Sequence, residues 1–390
     1  MPQSNILIAA NYSNVTGYAW RNIYRLFDNI IQAFGSSEST VCVTFANIES
    51  PVDQIINSSS VSFDEWDPMD SSLSNTLKLV RIIKRKKIGY LYFTDQRYSD
   101  WRYLMFRLSG VKKIVIHSRI SVADPAPALY EGGIRGLVKF VIGKMDLICA
   151  DRVYAVSDFV RNRMILKNRA PSGKIVKILN GIDLDSFKPS VSSRVNDKIV
   201  IFACGRATTH KGIHVLIDAV KYLSALLPEG SLEVRYAGDG PNLGQFKEKV
   251  NVLEIARFFR FLGELPNTRD EVMNADILVV PSVWGDACPS SVSEALASGK
   301  PLVATTAGGI PEIVGDEKNA ILVPPEKPFA LCIALLSLIR SPELRKMLSI
   351  NARIRAEDAL NLGSYHNVVT RQLSVDFSLS LLHDFDVSTL

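Results

Sequence analysis

ILVVPSVWGDACPSSVSEALASGKPLVA, residues 277–304, reads as a strand, a loop, a helix and a second strand. Ile277 to Val280 is a short apolar run that stops at Pro281, as a buried strand does on entering a loop. Residues 290–298 have the make-up of a short helix halted by Gly299, and residues 301–304 form the next apolar run. Two strands joined through a helix over so short a span predict a parallel βαβ unit.

The unit also carries two carboxylates eight residues apart, Asp286 in the strand-to-helix loop and Glu294 on the helix. They flank a helix N-terminus, which attracts anions, and each accepts hydrogen bonds from a polyol. The pattern suits a sugar joined to a phosphate. The plainer reading, a solvated helix glutamate and an ordinary loop aspartate, stands beside it for an isolated pair.

Outward from this unit, short apolar or β-branched runs alternate with helix-period segments along the whole chain, the pattern of parallel sheets covered by helices. Strands are expected near residues 6–10, 41–46, 91–94, 114–117, 152–156 and 175–179, then 199–203, 232–237, 258–262, 277–280 and 301–304. After the first strand of the second series, Ile213, Leu216, Ile217, Val220, Leu223 and Leu227 fall on one helix face. Residues 185–198, centred on FKPSVSSRVND, are rich in Ser and Pro and read as a linker. Three segments follow: an α/β domain over 1–185, a second over 186–362, and a C-terminal helix and tail over 363–390 that returns to the first. Two such domains leave a cleft at the carboxyl ends of their strands, where ligands bind in sheets of this kind.

At 390 residues and 47% hydrophobic content the chain is long enough for two cores. The five cysteines (Cys42, Cys149, Cys204, Cys288 and Cys332) are odd in number, scattered and never in a C-x-x-C pair, which predicts a reducing compartment. MPQSNILIAANYS reads as a first strand and not as a secretion signal, and nothing approaches membrane-spanning length. The expected location is cytoplasmic. Charge is uneven: residues 78–177 hold 22 basic and 7 acidic side chains within a chain whose net charge is +5. Such a field favours an anionic partner, a membrane surface or a phosphorylated acceptor, although a solvated basic surface reads equally well. Nucleic acid is not expected, because no recognition motif accompanies the basic residues. In WRYLMFRLSGVKK, residues 101–113, aromatic and cationic residues interleave as on a membrane-facing helix, with a core helix as the alternative.

Immediately after the strand at 199–203 comes CGRATTHKG, where Gly205, Arg206 and Lys211 precede an amphipathic helix. A tight turn, two cations and a helix N-terminus together suit a diphosphate, Arg206 through its fork and Lys211 as a point charge. AGDGP, with Gly238, is a tight turn at the next strand end, and Gly17 in NYSNVTGYAW permits close backbone approach. His117 ends an apolar strand, with Arg119 two residues on, and is a structural or a ligand-contacting histidine.

FANIES through KILNGIDLDSF, then CGRATTHKG, AGDGP, FLGELPNTRDEVMNADILVVPS, D-x7-E and ALASGKPLVATTAGGIPEIV, resemble in order and spacing the retaining glycosyltransferases of family 4, within glycosyl transferases group 1. The resemblance implies the GT-B fold, two Rossmann-like α/β domains facing each other across a cleft. It implies that Arg206 and Lys211 neutralise a donor diphosphate, that Glu294 binds the nucleotide ribose, that Asp286 faces the donor sugar, and that His117 lies near the reaction centre. The donor would further contact Gly17, Gly205, Gly238, Ala287, Cys288, Pro289, Ser290 and Ser291. Three departures touch donor choice: Asp286 stands where the family usually has Glu, Pro289 removes a backbone donor, and the N-terminal glycine pair is reduced to Thr16-Gly17.

The implied activity is metal-independent transfer of a hexose from a UDP- or GDP-linked nucleotide sugar, with no cofactor and retention of configuration. The acceptor would be a hydroxyl of a cell-surface glycan or glycolipid precursor, such as a lipopolysaccharide. Neither D-x-D string, at Asp183/Asp185 or Asp384/Asp386, is a good metal site. A sugar-nucleotide epimerase or phosphorylase of the same fold, and a non-catalytic glycan- or nucleotide-binding protein, remain as alternatives.

Overall fold

A computed structural model describes residues 5–12, 21–35, 40–49, 61–119, 141–189 and 198–379. Gly17 and Thr16, the sequence-read linker from residue 190 to 197, and Asp384/Asp386 lie outside the described residues. The chain divides into two compact units: the first runs to Leu179 and takes back the chain from Gly363, and the second holds Asn180–Leu362.

The first unit is built on a seven-stranded sheet in the order β3-β2-β1-β4-β5-β6-β7. Its strands are β1 (Asn5–Ala9), β2 (Val41–Phe45), β3 (Val61–Glu65), β4 (Ile88–Thr94), β5 (Lys113–Ser118), β6 (Arg152–Ala155) and β7 (Ile175–Lys177). Every pairing is parallel. All residues of β2 and β4 are buried, as required of central strands covered on both faces.

The helix Leu362–Phe377 closes this unit. Phe377 stacks on Tyr90 with ring centroids 4.7 Å apart, and Asp376 takes Arg152 and Tyr154, each at 2.8 Å.

The second unit has six strands in the order β10-β9-β8-β11-β12-β13. These are β8 (Ile199–Cys204), β9 (Leu232–Ala237), β10 (Phe259–Gly263), β11 (Ile277–Val280), β12 (Leu302–Thr305) and β13 (Ile321–Val323), again all parallel. The strand order reverses between β8 and β11, so the loops leaving these neighbours run to opposite sides and open a crevice at their carboxyl ends. CGRATTHKG and PSVWGDACPSS are those two loops. The helix Ile213–Ser224 buries Ile213, Leu216, Ile217, Val220 and Leu223, each worth about 1.5–3 kcal/mol of apolar burial. Leu227 lies beyond its end and is partly buried.

Two sequence readings change. Residues 185–189 do not begin a solvated linker, because Phe187 is buried and Lys188 donates its backbone N–H to Asp185. The interleaved segment at 101–113 is also not uniformly lipid-like: the helix Arg102–Leu108 turns Arg102, Tyr103 and Phe106 inward. Arg102 is bound by both carboxylate oxygens of Asp100, at 2.7–3.0 Å, since a buried guanidinium needs a matching anion. Among the described residues no helix is long and apolar enough to cross a membrane.

Candidate active site

The loops after β8 and β9 approach backbone to backbone. Gly205 (φ 141°) donates to the Ala237 carbonyl at 3.0 Å, and Tyr236 Oη donates to the Gly205 carbonyl at 2.6 Å. A Cβ on Gly238 (φ 149°) would stand 1.9 Å from the Gly205 carbonyl oxygen, so the AGDGP turn requires glycine there.

The short 3-10 turn Thr209–Lys211 ends at Gly212, whose φ of 71° starts the helix Ile213–Ser224. A Cβ on Gly212 would meet the Pro281 carbonyl oxygen at 1.8 Å, and Val283 donates to the His210 carbonyl at 2.8 Å. The loop after β8 is thereby docked on the loop after β11.

This docking aims Lys211 at Asp286. Its Nζ donates to Asp286 Oδ2 at 2.8 Å, and Ser282 Oγ donates to the same oxygen at 2.7 Å. Asp286 is 2% exposed and its carbonyl accepts from Gly309 at 2.8 Å. Arg206, in contrast, is exposed and enters no ion pair among the described residues. One cation is thus fixed by the protein and the other is presented to solvent.

Glu294 lies on the helix Ser290–Ala297 and is 5% exposed, which removes the solvated-glutamate reading. Thr268 Oγ1 donates to its Oε2 at 3.3 Å. Burial raises its pKa, opposed by hydrogen bonds from Ser290 and Thr268. Burial and then Glu294 itself push the Cys204 thiol up, so that the residue preceding Gly205 stays a neutral thiol. Pro289 is the N-cap of this helix and makes no side-chain cap. Ala287, Cys288, Ser290 and Ser291 continue around the helix start, Ser290 exposed and Ser291 buried. Among the described residues no cluster of His, Cys, Asp or Glu forms a metal site; Asp183 instead accepts from Ser186 Oγ at 2.7 Å.

Gly205, Arg206, Lys211, Gly238, Asp286, the 287–291 segment and Glu294 therefore belong to one end of one sheet, in the second unit. His117 is in the first unit, at the carboxyl end of β5, with zero exposure. Tyr92 Oη is 2.5 Å from its Nδ1 and Arg119 Nη2 is 3.1 Å from it. Burial and then Arg119 hold its pKa well below the usual value.

Sequence reading missed Ser282, which bonds Asp286 within one loop, Thr268, which reaches Glu294 on the following helix, and Gly308, which packs on the Asp286 backbone. It also missed His210 and Trp284, whose rings lie 6.5 Å apart. Thr208 Oγ1 is 3.0 Å from His210 Nδ1, and Trp284 Nε1 is buried without a hydrogen-bond partner. The lone tryptophan among small residues of PSVWGDACPSS was the available signal.

Two Rossmann-like parallel sheets, one with cations and glycine turns at its switch point, define the GT-B class of two-domain α/β proteins. Residues 186–355, most of the second unit, match the family model described as glycosyl transferases group 1. The D-inositol 3-phosphate glycosyltransferase of Streptomyces avermitilis is 27% identical over 250 residues, covering 59% of this chain and 53% of that protein. The chain thus spans about half the length of the curated relatives it matches. In fold it is similar to a glycosyltransferase from Rickettsia africae, with a TM-score of 0.78, 17% identity and coverage of 97% of this chain and 100% of that one. It is also similar to Anabaena Alr3699/HepE in complex with UDP-glucose, with a TM-score of 0.72, 18% identity and coverage of 96% and 100%.

Proposed function

We propose that the chain is a retaining, metal-independent glycosyltransferase. In this reading it moves a hexose from a UDP- or GDP-linked donor to a hydroxyl of a cell-surface glycan or glycolipid precursor. The observation that carries the proposal is the pairing of a fixed and a presented cation at the β8/β11 switch point: Lys211 tied to Asp286, and exposed Arg206 beside it in the same loop. Support for the nucleotide comes from the UDP-glucose bound by a protein of similar fold, and for a phosphorylated acceptor from the relative named for D-inositol 3-phosphate.

As the glycosidic bond breaks, negative charge grows on the departing diphosphate. Arg206, Lys211 and the open backbone N–H groups at the start of the helix Ser290–Ala297 stabilise that charge more in the transition state than in the ground state. Asp286 keeps the Lys211 ammonium in place before the donor arrives, so no reorganisation is needed at the moment of transfer. Glu294 holds the ribose, its buried carboxyl preferring a hydroxyl partner to bulk water. The protein's cations do what a divalent ion does in other transferases.

The acceptor side draws on the first unit. Trp101, Leu108 and Leu147 are 48%, 77% and 59% exposed, beside the exposed cations Lys112, Lys113 and Lys144. The turn Asp146–Ile148 is tied to the start of the helix Arg102–Leu108 through the Asp100 N–H to Ile148 carbonyl bond. Exposed apolar side chains and exposed cations in neighbouring stretches of sequence suit peripheral contact with an anionic bilayer.

A thermal-shift screen of nucleoside diphosphates tests the reading: UDP or GDP raises the melting temperature, and that nucleotide's sugars, offered with phosphorylated or lipid-linked acceptors, release it on turnover. Binding without turnover of any pair would favour a non-catalytic protein, and donor conversion without acceptor an epimerase or phosphorylase.

A further inference from the structure

At the amino ends of β11 and β12, the opposite end of the sheet from the crevice, the second unit carries an open cavity of about 260 Å3. Asp276 and Pro301, just before those strands, line it with Ser298, Lys300, Arg345 and Lys346. No residue of the candidate active site does. The two places share one element, the eight-residue helix Ser290–Ala297, which is about 12 Å long. Its Ser290 end belongs to the crevice, and just past its other end Ser298 Oγ donates to the Glu294 carbonyl at 2.6 Å.

Arg345 defines the chemistry of the cavity. Its Nη1 donates to the carbonyls of Leu338 and Ile339, at 2.5 and 3.0 Å, in the last turn of the helix Pro328–Arg340. Those bonds use both Nη1 hydrogens and pin the plane of the guanidinium. Nε and Nη2 bond nothing among the described residues, and that edge is the fork that takes two oxygens of one oxyanion side by side. Lys346 is exposed and Lys300 half-buried. The one carboxylate of the lining, Asp276, accepts the Val200 N–H through Oδ2 at 2.8 Å. Three cations against one carboxylate leave the wall two charges positive. A phosphate monoester, at about −1.5 to −2 near pH 7, matches that excess, and a lone carboxylate does not. The volume lies below the range of about 300–1,000 Å3 that accepts drug-sized ligands, so it suits a phosphate on a small body and is too small for a nucleotide sugar.

We propose that this cavity is a second anion site, which takes a phosphate group on the Nε–Nη2 edge of Arg345 while Lys300 and Lys346 supply the remaining charge. The assignment does not rest on the glycosyltransferase reading, because no residue of the crevice takes part. The pinning of Arg345 by the helix Pro328–Arg340 sets the fork in place before a ligand arrives, which lowers the ordering cost of binding.

The test is calorimetric titration of the full chain at low ionic strength with inorganic phosphate and, separately, with glycerol 3-phosphate. Both bind wild type; tighter binding of the monoester assigns the site to a phosphorylated metabolite, and tighter or equal binding of inorganic phosphate assigns it to the free ion. Lys346→Glu, a change at an exposed position, weakens this binding about tenfold or more while the melting temperature holds, the scale of one lost charge-assisted contact. Arg345→Lys keeps the charge, loses the fork and weakens it likewise; if that variant does not fold, Lys346→Glu decides alone. Arg206→Ala, in the crevice, leaves the binding in place. No binding by wild type, or unaltered affinity in Lys346→Glu, overturns the assignment. Binding lost in Arg206→Ala and kept in Lys346→Glu overturns it too, by putting the phosphate in the crevice.

Discussion

Lys211 Nζ stands 2.8 Å from Asp286 Oδ2 although 75 residues separate the two in sequence. The carboxylate is almost wholly buried and also takes Ser282, so the pair is a preassembled part of the β8/β11 crevice. Removing one partner strands the other. Asp286→Ala is expected to destabilise the second unit by about 3 kcal/mol in chemical denaturation. Lys211→Ala lowers kcat/KM by about 100-fold or more. A double-mutant cycle on unfolding free energy in which the losses of the two single variants simply add would show that the ion pair does no joint work.

Arg206 gives the opposite signature. Being exposed and free of ion pairs among the described residues, Arg206→Ala leaves stability within about 0.5 kcal/mol of wild type. Its loss weakens nucleoside diphosphate binding by about 1.5–3 kcal/mol, the range for a charge-assisted hydrogen bond, as read by calorimetry. Unaltered affinity would remove Arg206 from the site.

Glycine substitutions report on the loop docking. Gly212→Ala and Gly308→Ala combine positive φ, 71° and 60°, with backbone oxygens 1.8 Å and 2.1 Å from the added Cβ. Each is expected to lower stability by more than about 1 kcal/mol and to weaken nucleotide binding. Gly244→Ala, within the helix Leu243–Val252 and meeting nothing within 4 Å, serves as the control and gains about 0.4–1 kcal/mol. Melting curves of the three variants decide the matter.

Stability should fall in mild acid. His366 is buried, and burial, then Arg25, push its pKa from 6.5 down to about 4. Between those values the unfolded chain binds the extra proton, so the stabilisation is complete above pH 6.5 and is lost as pH falls through about 4. The total is about 3 kcal/mol at about 1.4 kcal/mol per pH unit. His366→Gln should flatten the slope of unfolding free energy between pH 6.5 and 4; an unchanged slope would place the titration elsewhere.

Vesicle sedimentation tests the first unit's surface. Wild type should pellet with vesicles containing anionic lipid and remain in solution with neutral ones, and added salt should release it. Leu108→Ser with Leu147→Ser should reduce the bound fraction several-fold without changing the melting temperature, because both side chains are more than half exposed. Equal binding to neutral vesicles would contradict the electrostatic part of the proposal.

Much of the architecture was readable because buried strands leave runs such as ILVV and IVIFAC that few other structures tolerate. Strand β3 was not, since VSFDE is partly exposed at nearly every position, has no apolar run, and alternates only over the four residues Val61 to Asp64. Strand β13 has only three residues. In the candidate site, residue types near strand ends were legible one by one, but their couplings were not. Nothing in CGRATTHKG says that its lysine meets an aspartate beyond another strand; that follows from the strand order β8-β11, which places the two loops side by side. Likewise the interleaved segment at 101–113 concealed which cation is buried, because Asp100, the partner of Arg102, lies just before it.

The return of the helix Leu362–Phe377 to the first unit has a consequence for biosynthesis. Tyr90, Tyr154, Arg152 and Arg119 all receive partners from the last stretch of described chain. While the ribosome is still making the second unit, the first therefore waits with one side of β4–β6 uncovered, although its seven strands have already emerged. The first unit is thus completed only after the second has been made, and loss of the chain from Leu362 would leave Tyr90, Tyr154, Arg152 and Arg119 without these partners.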